Sequence, residues 1–384
     1  MEFAFTEEQE AVAEAAVSVF MGMASSERVA QIEKTPERYD AELWLALARA
    51  NLLGLAVPAE HDGSGLGMVE VCQVLEAQGR AVAPVPLWAT VVLGAMPIAR
   101  FGTPEQRDRW LPAVVSGDVR LTAALADVAR STSNGRGTTA PQVRAQADPG
   151  GWILRGIAHS VPQAHLAAQA IVPAVTEDGD TLLLLVGPQD PGVTLERATT
   201  TDRQVHPHMH LDGVTVASSQ VLVAPGEGIA AVQWMLERAR TGLCAMALGV
   251  CEEAVRRAAA YLNERHQFGR PLSSFQGTML RAADAYIDTE AIRVTLWQAA
   301  WRLDTGRPAD EAVAAAKWWA SEAGQRVVHA TQHLHGGMGA DVEYPIHRYF
   351  LWGKQIELML GGPTSELARL GAMVASRIRE GGSR

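Results

Sequence analysis

Residues 264–276 read ERHQFGRPLSSFQ. Arg265 carries a permanent cation whose planar fork suits a phosphate or carboxylate. Phe268, three residues on, adds a flat apolar ring, and at a helix C-terminus that spacing places both side chains on one helical face. Gly269 suits a left-handed helix end and Pro271 cannot continue a helix, so a break is expected there, with Gln276 opening the next helix. A cation, a ring and an amide around a break could hold an anionic ligand with a flat apolar part. Taken alone, the same residues favour a solvated arginine and a core phenylalanine at a helix cap. The stretch HLHGGMG, 333–339, bears on that choice. Its glycines would let backbone N–H groups come close to an anion.

Other chemistry-bearing residues are fewer. His206, His208 and His210 alternate along HPHMH and would share one face of a strand. Three imidazoles could bind a metal, but beyond Asp212 no carboxylate or thiol accompanies them, so surface or interface histidines are expected and no metal. Trp318-Trp319 and Tyr349-Phe350-Leu351-Trp352 are aromatic pairs on helices, expected in the core or at subunit contacts.

The elements that must position these residues follow from pattern. The chain has 384 residues, 48% of them hydrophobic, enough for two or three domains. A formal net charge of −10 argues against nucleic acid as a partner. Cys72, Cys244 and Cys251 are an odd set in apolar surroundings and read as reduced buried thiols. Met1-Glu2-Phe3 runs straight into an acidic helix start with no leader-like region, and no uncharged run could span a bilayer, so a cytoplasmic chain away from membranes is expected.

Residues 1–120 are helix-like. Thr6-Glu7-Glu8-Gln9 forms a capping box, Val12, Ala15, Ala16, Val19 and Phe20 recur at helical spacing, and Thr103 caps a helix with Pro104 at its first position. Residues 121–226 break into short β-rich runs separated by Gly, Pro, Asp and Asn, with a polar loop at 131–139, and read as an antiparallel β-domain, barrel or sandwich. Residues 227–384 are helical again, over about 228–264, 273–304, 309–333 and 358–380, which implies an antiparallel four-helix bundle. The expected fold is a multidomain α+β chain: all-α N-domain, central antiparallel β-domain, C-terminal four-helix bundle.

With that order, the chain resembles the acyl-CoA dehydrogenase family over nearly its whole length. The resemblance rests on FTEEQEAVAEAAVSVF, GTPEQRDRWLPAVVSGD, ERHQFGRPLSSFQ and QHLHGGMGADVEYPIHRYFLWGK, in family order. It implies FAD as cofactor and an acyl-CoA thioester as substrate. It further implies that Arg265, Phe268 and Gln276, beside Gly269, reach across a subunit interface to the pyrophosphate and adenosine of a neighbour's FAD. Backbone of His333, Leu334, His335, Gly336 and Gly337 would cradle the AMP portion.

The family reaction needs a carboxylate to take an α-proton while a β-hydride goes to flavin. In the commoner family position, within a pattern like YEGTSE, this chain places Gly362. In the alternative position, on the first long bundle helix, it has Ala239 beside a retained Arg240. Both base positions are vacant. Glu357 and Glu366 flank the first, and either could be an unusual base, although a glutamate on a helix usually points to solvent. Segments resembling the family's flavin-lining TEPxAGSD and Trp-x-Thr read ALADVAR at 124–130 and HSVPQ at 159–163, with Ser160 and Pro162 at the Trp and Thr positions.

Loss of the chain's own ring bed, with the neighbour-facing residues retained, resembles the non-catalytic subunit of actinobacterial heterotetrameric dehydrogenases of steroid side-chain degradation. The partners so implied are a homologous catalytic subunit and an electron-transfer flavoprotein or similar acceptor. Two alternatives stay open: a self-sufficient homo-oligomeric enzyme using Glu357 or Glu366, and a non-redox structural or CoA-ester-binding relative.

Overall fold

The computed structural model describes residues 4–133 and 141–381. They divide into two compact units: Met1–Gln31, Cys72–Ala83 and Arg240–Arg384 form one, Ile32–Val71 and Pro84–Ala239 the other.

The chain opens with α1 (Glu7–Met23), whose capping box closes in both directions between Thr6 and Gln9 and which buries Ala16 and Phe20. Next come α2 (Ser26–Ile32), α3 (Ala41–Arg49) and α4 (Met68–Ala81). A π-helix at Trp88–Ala95, every residue of it buried, runs into α5 (Met96–Phe101). In α6 (Pro104–Val115) Thr103 and Gln106 form a second capping box around Pro104.

The central elements are β1 (Leu121–Ala123), α7 (Ala126–Ser133), β2 (Val143–Asp148), β3 (Gly151–Ala158), β4 (Gln169–Thr176), β5 (Thr181–Val186), β6 (Val193–Glu196), β7 (His208–Ala217) and β8 (Val221–Val223). They make one eight-stranded sheet in the order β6-β7-β3-β2-β4-β5-β8, with β1 on β4. The sheet is mixed, which corrects the expectation of a wholly antiparallel domain: β4 runs parallel to both β1 and β2. Side-chain alternation tells a strand which face is buried, not which way its neighbour runs. Leu154, Val172, Leu182, Leu184, Met209 and Val214 centre the core of this sheet. Of the expected polar loop at 131–139, residues 131–133 complete α7 and the rest lie outside the described residues.

The three alternating histidines are split. His206 precedes the strand and is buried, and burial pushes its imidazole down to about 4. His208 and His210 share a face of β7, where His210 pairs with Glu196 at 2.9 Å. His206 is thus no surface residue. Among the described residues no group of three or more His, Cys, Asp or Glu could hold a metal ion, and no helix is long and apolar enough to cross a membrane. All three thiols are buried and none is in a disulfide.

The last stretch holds α8 (Gly228–Glu264), α9 (Gln276–Asp304), α10 (Asp310–Leu334), α11 (Ile346–Leu358) and α12 (Pro363–Gly381). The expected run at 358–380 is α12, and α11 is an additional helix that the four-helix reading lacked. Its Tyr349 and Trp352 are buried, each 3% exposed, as core aromatics. Trp318 and Trp319 meet edge-on at 5.0 Å.

Helices α4 and α8 touch backbone to backbone. A β-carbon on Gly79 would lie 2.2 Å from the Met246 carbonyl oxygen, and one on Gly249 1.9 Å from that of Glu76. Beside this contact, Arg80 pairs with Glu76 at 3.0 Å and with Glu252 at 2.5 Å, and Arg293 of α9 reaches Glu252 at 3.4 Å. Burial, and then the charge of Glu252, push the Glu76 carboxyl up to about 7. A carboxyl raised from about 4.5 binds its proton more tightly when folded. Its contribution is therefore complete below about pH 4.5 and is lost as pH rises through 7. Thermal unfolding of Glu76→Gln should show a smaller fall in Tm from about pH 5 to about pH 8 than the native chain shows; equal slopes would overturn this assignment.

Candidate functional site

An open groove of about 870 Å³ lies beside the end of α8. Arg265, His333, Leu334, His335, Gly336 and Gly337 line it together, so most of the residues expected to bind are brought to one place. The local backbone is not the expected helix end. Arg265 lies past the last residue of α8, and His266–Gln267 (β9) pairs antiparallel with Arg270–Pro271 (β10). The hairpin turns on Phe268 at φ +55° and Gly269 at φ +78°, the two positive φ values that a two-residue hairpin turn requires. Arg265 and Phe268 therefore do not share a helical face.

The ring of Phe268 is 90% exposed at the hairpin tip and meets Phe275 edge-on at 6.1 Å. Phe275 lines the groove, whereas Phe268, Gly269 and Gln276, the first residue of α9, do not. The guanidinium of Arg265 is exposed and makes no hydrogen bond or ion pair among the described residues. β-Carbons placed on Gly336 or Gly337 would meet no atom within 4 Å, so the backbone of that turn is open to close approach.

Several groove residues escaped the sequence reading: Tyr261, Phe275, Thr278, Arg281 and Asp284. Tyr261 stands one helical turn before Arg265, a spacing that could have marked it. It stacks on His335 at 4.7 Å. His335 is 1% exposed, with Nδ1 2.7 Å from the Thr331 carbonyl oxygen, and burial lowers its pKa.

The second region is the turn between α11 and α12 that carries Gly362. Leu360 and Gly361 there have φ of +55° and +122°. Lys317 of α10, fully buried, donates to the carbonyl oxygens of Ile356 at 3.1 Å, Glu357 at 3.2 Å and Gly361 at 2.9 Å, and to Ser321 Oγ at 2.7 Å. Burial pulls its ammonium down to about 8. Arg240 Nε donates to the Leu360 carbonyl at 3.0 Å and lies 3.3 Å from Glu366 Oε1. Arg369 holds Glu366 Oε2 through Nε at 3.0 Å and Nη2 at 2.8 Å.

Glu366 is thus 1% exposed, and Glu357, 9% exposed, pairs with Lys354 at 2.5 Å. This corrects the expectation that helical glutamates here face solvent: Arg240 of α8 and Arg369 of α12 hold the Glu366 carboxylate in the interior, and the half-buried Lys354 of α11 holds that of Glu357. Every oxygen of Glu366 is engaged by a guanidinium group. Ala239, the alternative base position, is fully buried in α8, and its carbonyl accepts from the Trp88 indole at 3.0 Å. In the sheet, ALADVAR mostly forms α7, and Pro162 accepts a hydrogen bond from Thr122 Oγ1 at 2.7 Å.

A helical start, a mixed central sheet, a helical C-terminal region and a groove between a glycine turn and an arginine define a class. The model of the acyl-CoA dehydrogenase N-terminal domain matches residues 6–118 and that of the C-terminal domain matches 226–374, and the chain belongs to the acyl-CoA dehydrogenase family. Among individual relatives, it is 37% identical to the acyl-CoA dehydrogenase FadE27 of Mycobacterium tuberculosis, over 98% of this chain and 99% of that one. Among solved structures, it is similar to a chain of a variant of the Tcur3481-Tcur3483 steroid ACAD, at 46% identity and TM-score 0.89 over 97% and 99% of the two chains. It is also similar to a chain of the ChsE4-ChsE5 complex from Mycobacterium tuberculosis, at 37% identity and TM-score 0.90 over 98% and 99%.

The Lys317 contacts set a stability expectation. Lys317→Met removes the donor from two buried carbonyls and a part-buried one and should cost about 3 kcal/mol or more in chemical denaturation. Gly362→Ala should change stability by no more than about 0.5 kcal/mol, because the added carbon would meet only Leu358 Cδ2 at 3.6 Å and the Glu357 carbonyl oxygen at 4.0 Å. A Lys317→Met variant as stable as the native chain would show that the cluster does not hold the turn.

Proposed function

We propose that this chain is the subunit of a heteromeric FAD-dependent acyl-CoA dehydrogenase that lacks the catalytic carboxylate and completes the flavin site of a homologous catalytic partner. The observation that carries this reading is Arg265: an exposed guanidinium with no partner among the described residues, over a groove walled by the open Gly336-Gly337 turn. The vacancy of both base positions, Gly362 and Ala239, supports it, as does the engagement of Glu357 and Glu366 in ion pairs.

The groove fits the adenosine and pyrophosphate end of FAD in kind. Arg265 and Arg281 supply cations, Tyr261 and Phe275 supply rings, and the backbone of His333 to Gly337 can approach an anion closely. Phe268, Gly269 and Gln276 would flank that end of the cofactor. When bound, FAD supplies the hydride acceptor for α,β-dehydrogenation of the acyl-CoA thioester. This chain's part is to neutralise the pyrophosphate through Arg265 and to hold the adenosine side, while the partner removes the α-proton. The domains are taken as 1–120, 121–226 and 227–384. Because one relative is a steroid ACAD and another a two-protein complex, the substrate is taken to be a steroid-derived CoA ester, the assembly a heterotetramer, the electron acceptor an electron-transfer flavoprotein or similar, and the compartment cytoplasmic.

The test is the purified chain with and without its partner. The expected result is a protein that gains flavin and acyl-CoA turnover only in the complex. Flavin and turnover in the chain alone would favour the self-sufficient enzyme, and a colourless chain with every candidate partner would favour the non-redox relative. In the complex, Arg265→Ala should weaken FAD retention roughly ten- to a hundredfold, since charge-assisted bonds contribute about 1.5–3 kcal/mol. Arg265→Lys should recover part of this, because a point charge does not reproduce a planar fork. Gly362→Ala should leave turnover nearly unchanged, and a large loss there would mean that this chain houses a working site.

A further inference from the structure

The two segments that the family resemblance would set against a flavin ring, 124–130 and 159–163, build a histidine–aspartate corner of the sheet. His159 follows the last residue of β3 and His208 opens β7; Ala158 is paired with Met209, so the two imidazoles are cross-strand neighbours. Their ring centroids are 5.3 Å apart and the rings are nearly edge-to-face, at 72°. Ser160 between the two strands has φ +50°, a strained conformation for a residue with a β-carbon. Strain of this kind concentrates where a site over-determines the backbone.

The ring tautomers follow from their partners. Asp127, in the first turn of α7 with its side chain 8% exposed, accepts the His159 backbone N–H at 3.0 Å and lies 3.0 Å from His159 Nδ1. It also pairs with Arg130. A carboxylate oxygen accepts, so Nδ1 carries the hydrogen, and in its neutral form the His159 ring presents Nε2 as an acceptor. His208 is the reverse. Its Nδ1 accepts the Ser160 N–H at 3.0 Å, so Nε2 carries the hydrogen. Among the described residues nothing hydrogen-bonds to either Nε2, and the His159 side chain is 38% exposed.

An acceptor on one ring and a donor on its neighbour, with centroids 5.3 Å apart, select the ligand. A metal ion is a poor match, because His208 has one nitrogen occupied and a hydrogen on the other. A fully ionised oxyanion such as sulfate offers only acceptors and leaves His159 Nε2 unmatched. An oxyanion that keeps an exchangeable hydrogen matches both: P–OH donates to His159 Nε2 while P–O⁻ accepts from His208 Nε2–H. Inorganic phosphate keeps a P–OH throughout the neutral range, and a phosphomonoester keeps one below its second ionisation, at about 6, so the two are compared at about pH 6. We propose that Asp127, His159 and His208 form a binding site for a hydrogen-phosphate group, carried by inorganic phosphate or by a phosphomonoester. The inference stands apart from the shared-flavin reading and survives its failure.

The test is a titration of the full chain, with its histidines labelled with nitrogen-15, by inorganic phosphate, methyl phosphate and sulfate at matched ionic strength. In the unliganded chain His159 should show the Nδ1–H tautomer and His208 the Nε2–H tautomer. Phosphate should shift both Nε2 signals saturably, with sulfate at least about fivefold weaker. Binding by methyl phosphate as well as phosphate assigns the site to monoesters, and binding by phosphate alone assigns it to the free anion. His159→Gln should weaken phosphate at least about tenfold, and Asp127→Asn should weaken it and disturb the His159 tautomer. Equal responses to phosphate and sulfate in the native chain, or no saturable shift, would overturn the proposal. That comparison decides even if a variant fails to fold. Unchanged affinity in a folded His159→Gln would overturn it as well.

Discussion

The C-terminal end of α11 depends on one ammonium group. A helix end leaves carbonyls without intrahelical partners, and together they carry the negative end of the helix dipole. Here the Ile356 and Glu357 carbonyls are turned inward, away from water, and Lys317 of α10 satisfies them together with the Gly361 carbonyl of the turn beyond. Burying a lysine is costly, as its depressed pKa reports, and the cost is offset because every donor finds an oxygen. The sharp turn at Leu360-Gly361 then has a fixed exit, Pro363 starts α12, and Glu366 is delivered between Arg240 and Arg369. Gly362 thereby keeps a defined place in the turn, its own carbonyl accepting the Glu366 backbone N–H at 3.1 Å.

Much of the fold could be read from local chemistry. The caps at Thr6 and Thr103 form as the residue types dictate, and α8 spans the stretch its periodicity indicates. Strand direction could not be read this way. β4 is buried along most of its length, and a continuous apolar run looks alike beside a parallel or an antiparallel neighbour. The hairpin after α8 was hidden for a related reason: Gly269 and Pro271 announce a helix stop, but whether the chain then caps or turns back is set by pairing between Gln267 and Arg270, which no single residue signals.

The groove was legible where residue type limits chemistry. Arg265 and the paired glycines 336 and 337 line it together, while Tyr261 and Arg281, ordinary residues on helices, enter only because α8 and α9 bring them there. The glutamates beside Gly362 were misread because their fate depends on Arg240 and Lys317, distant in sequence. Burial of a carboxylate is a property of its partners, not of its own helix. The same holds for the Asp127–His159 pair, whose members belong to a helix and a strand end that the sheet brings together.

The hairpin tip has a kinetic consequence. Phe268 holds φ +55°, unusual for an aromatic residue, and Gly269 follows at +78°, so the protruding ring is mounted on a backbone with little freedom left. A surface that met this ring would encounter an exposed apolar side chain on a turn whose two central φ angles are already set. Conformational entropy lost in shaping the tip has been spent in folding, leaving side-chain rotation as the main local loss on association. Preorganisation of this kind acts more on dissociation than on encounter, so its effect would fall on the lifetime of any contact the tip makes.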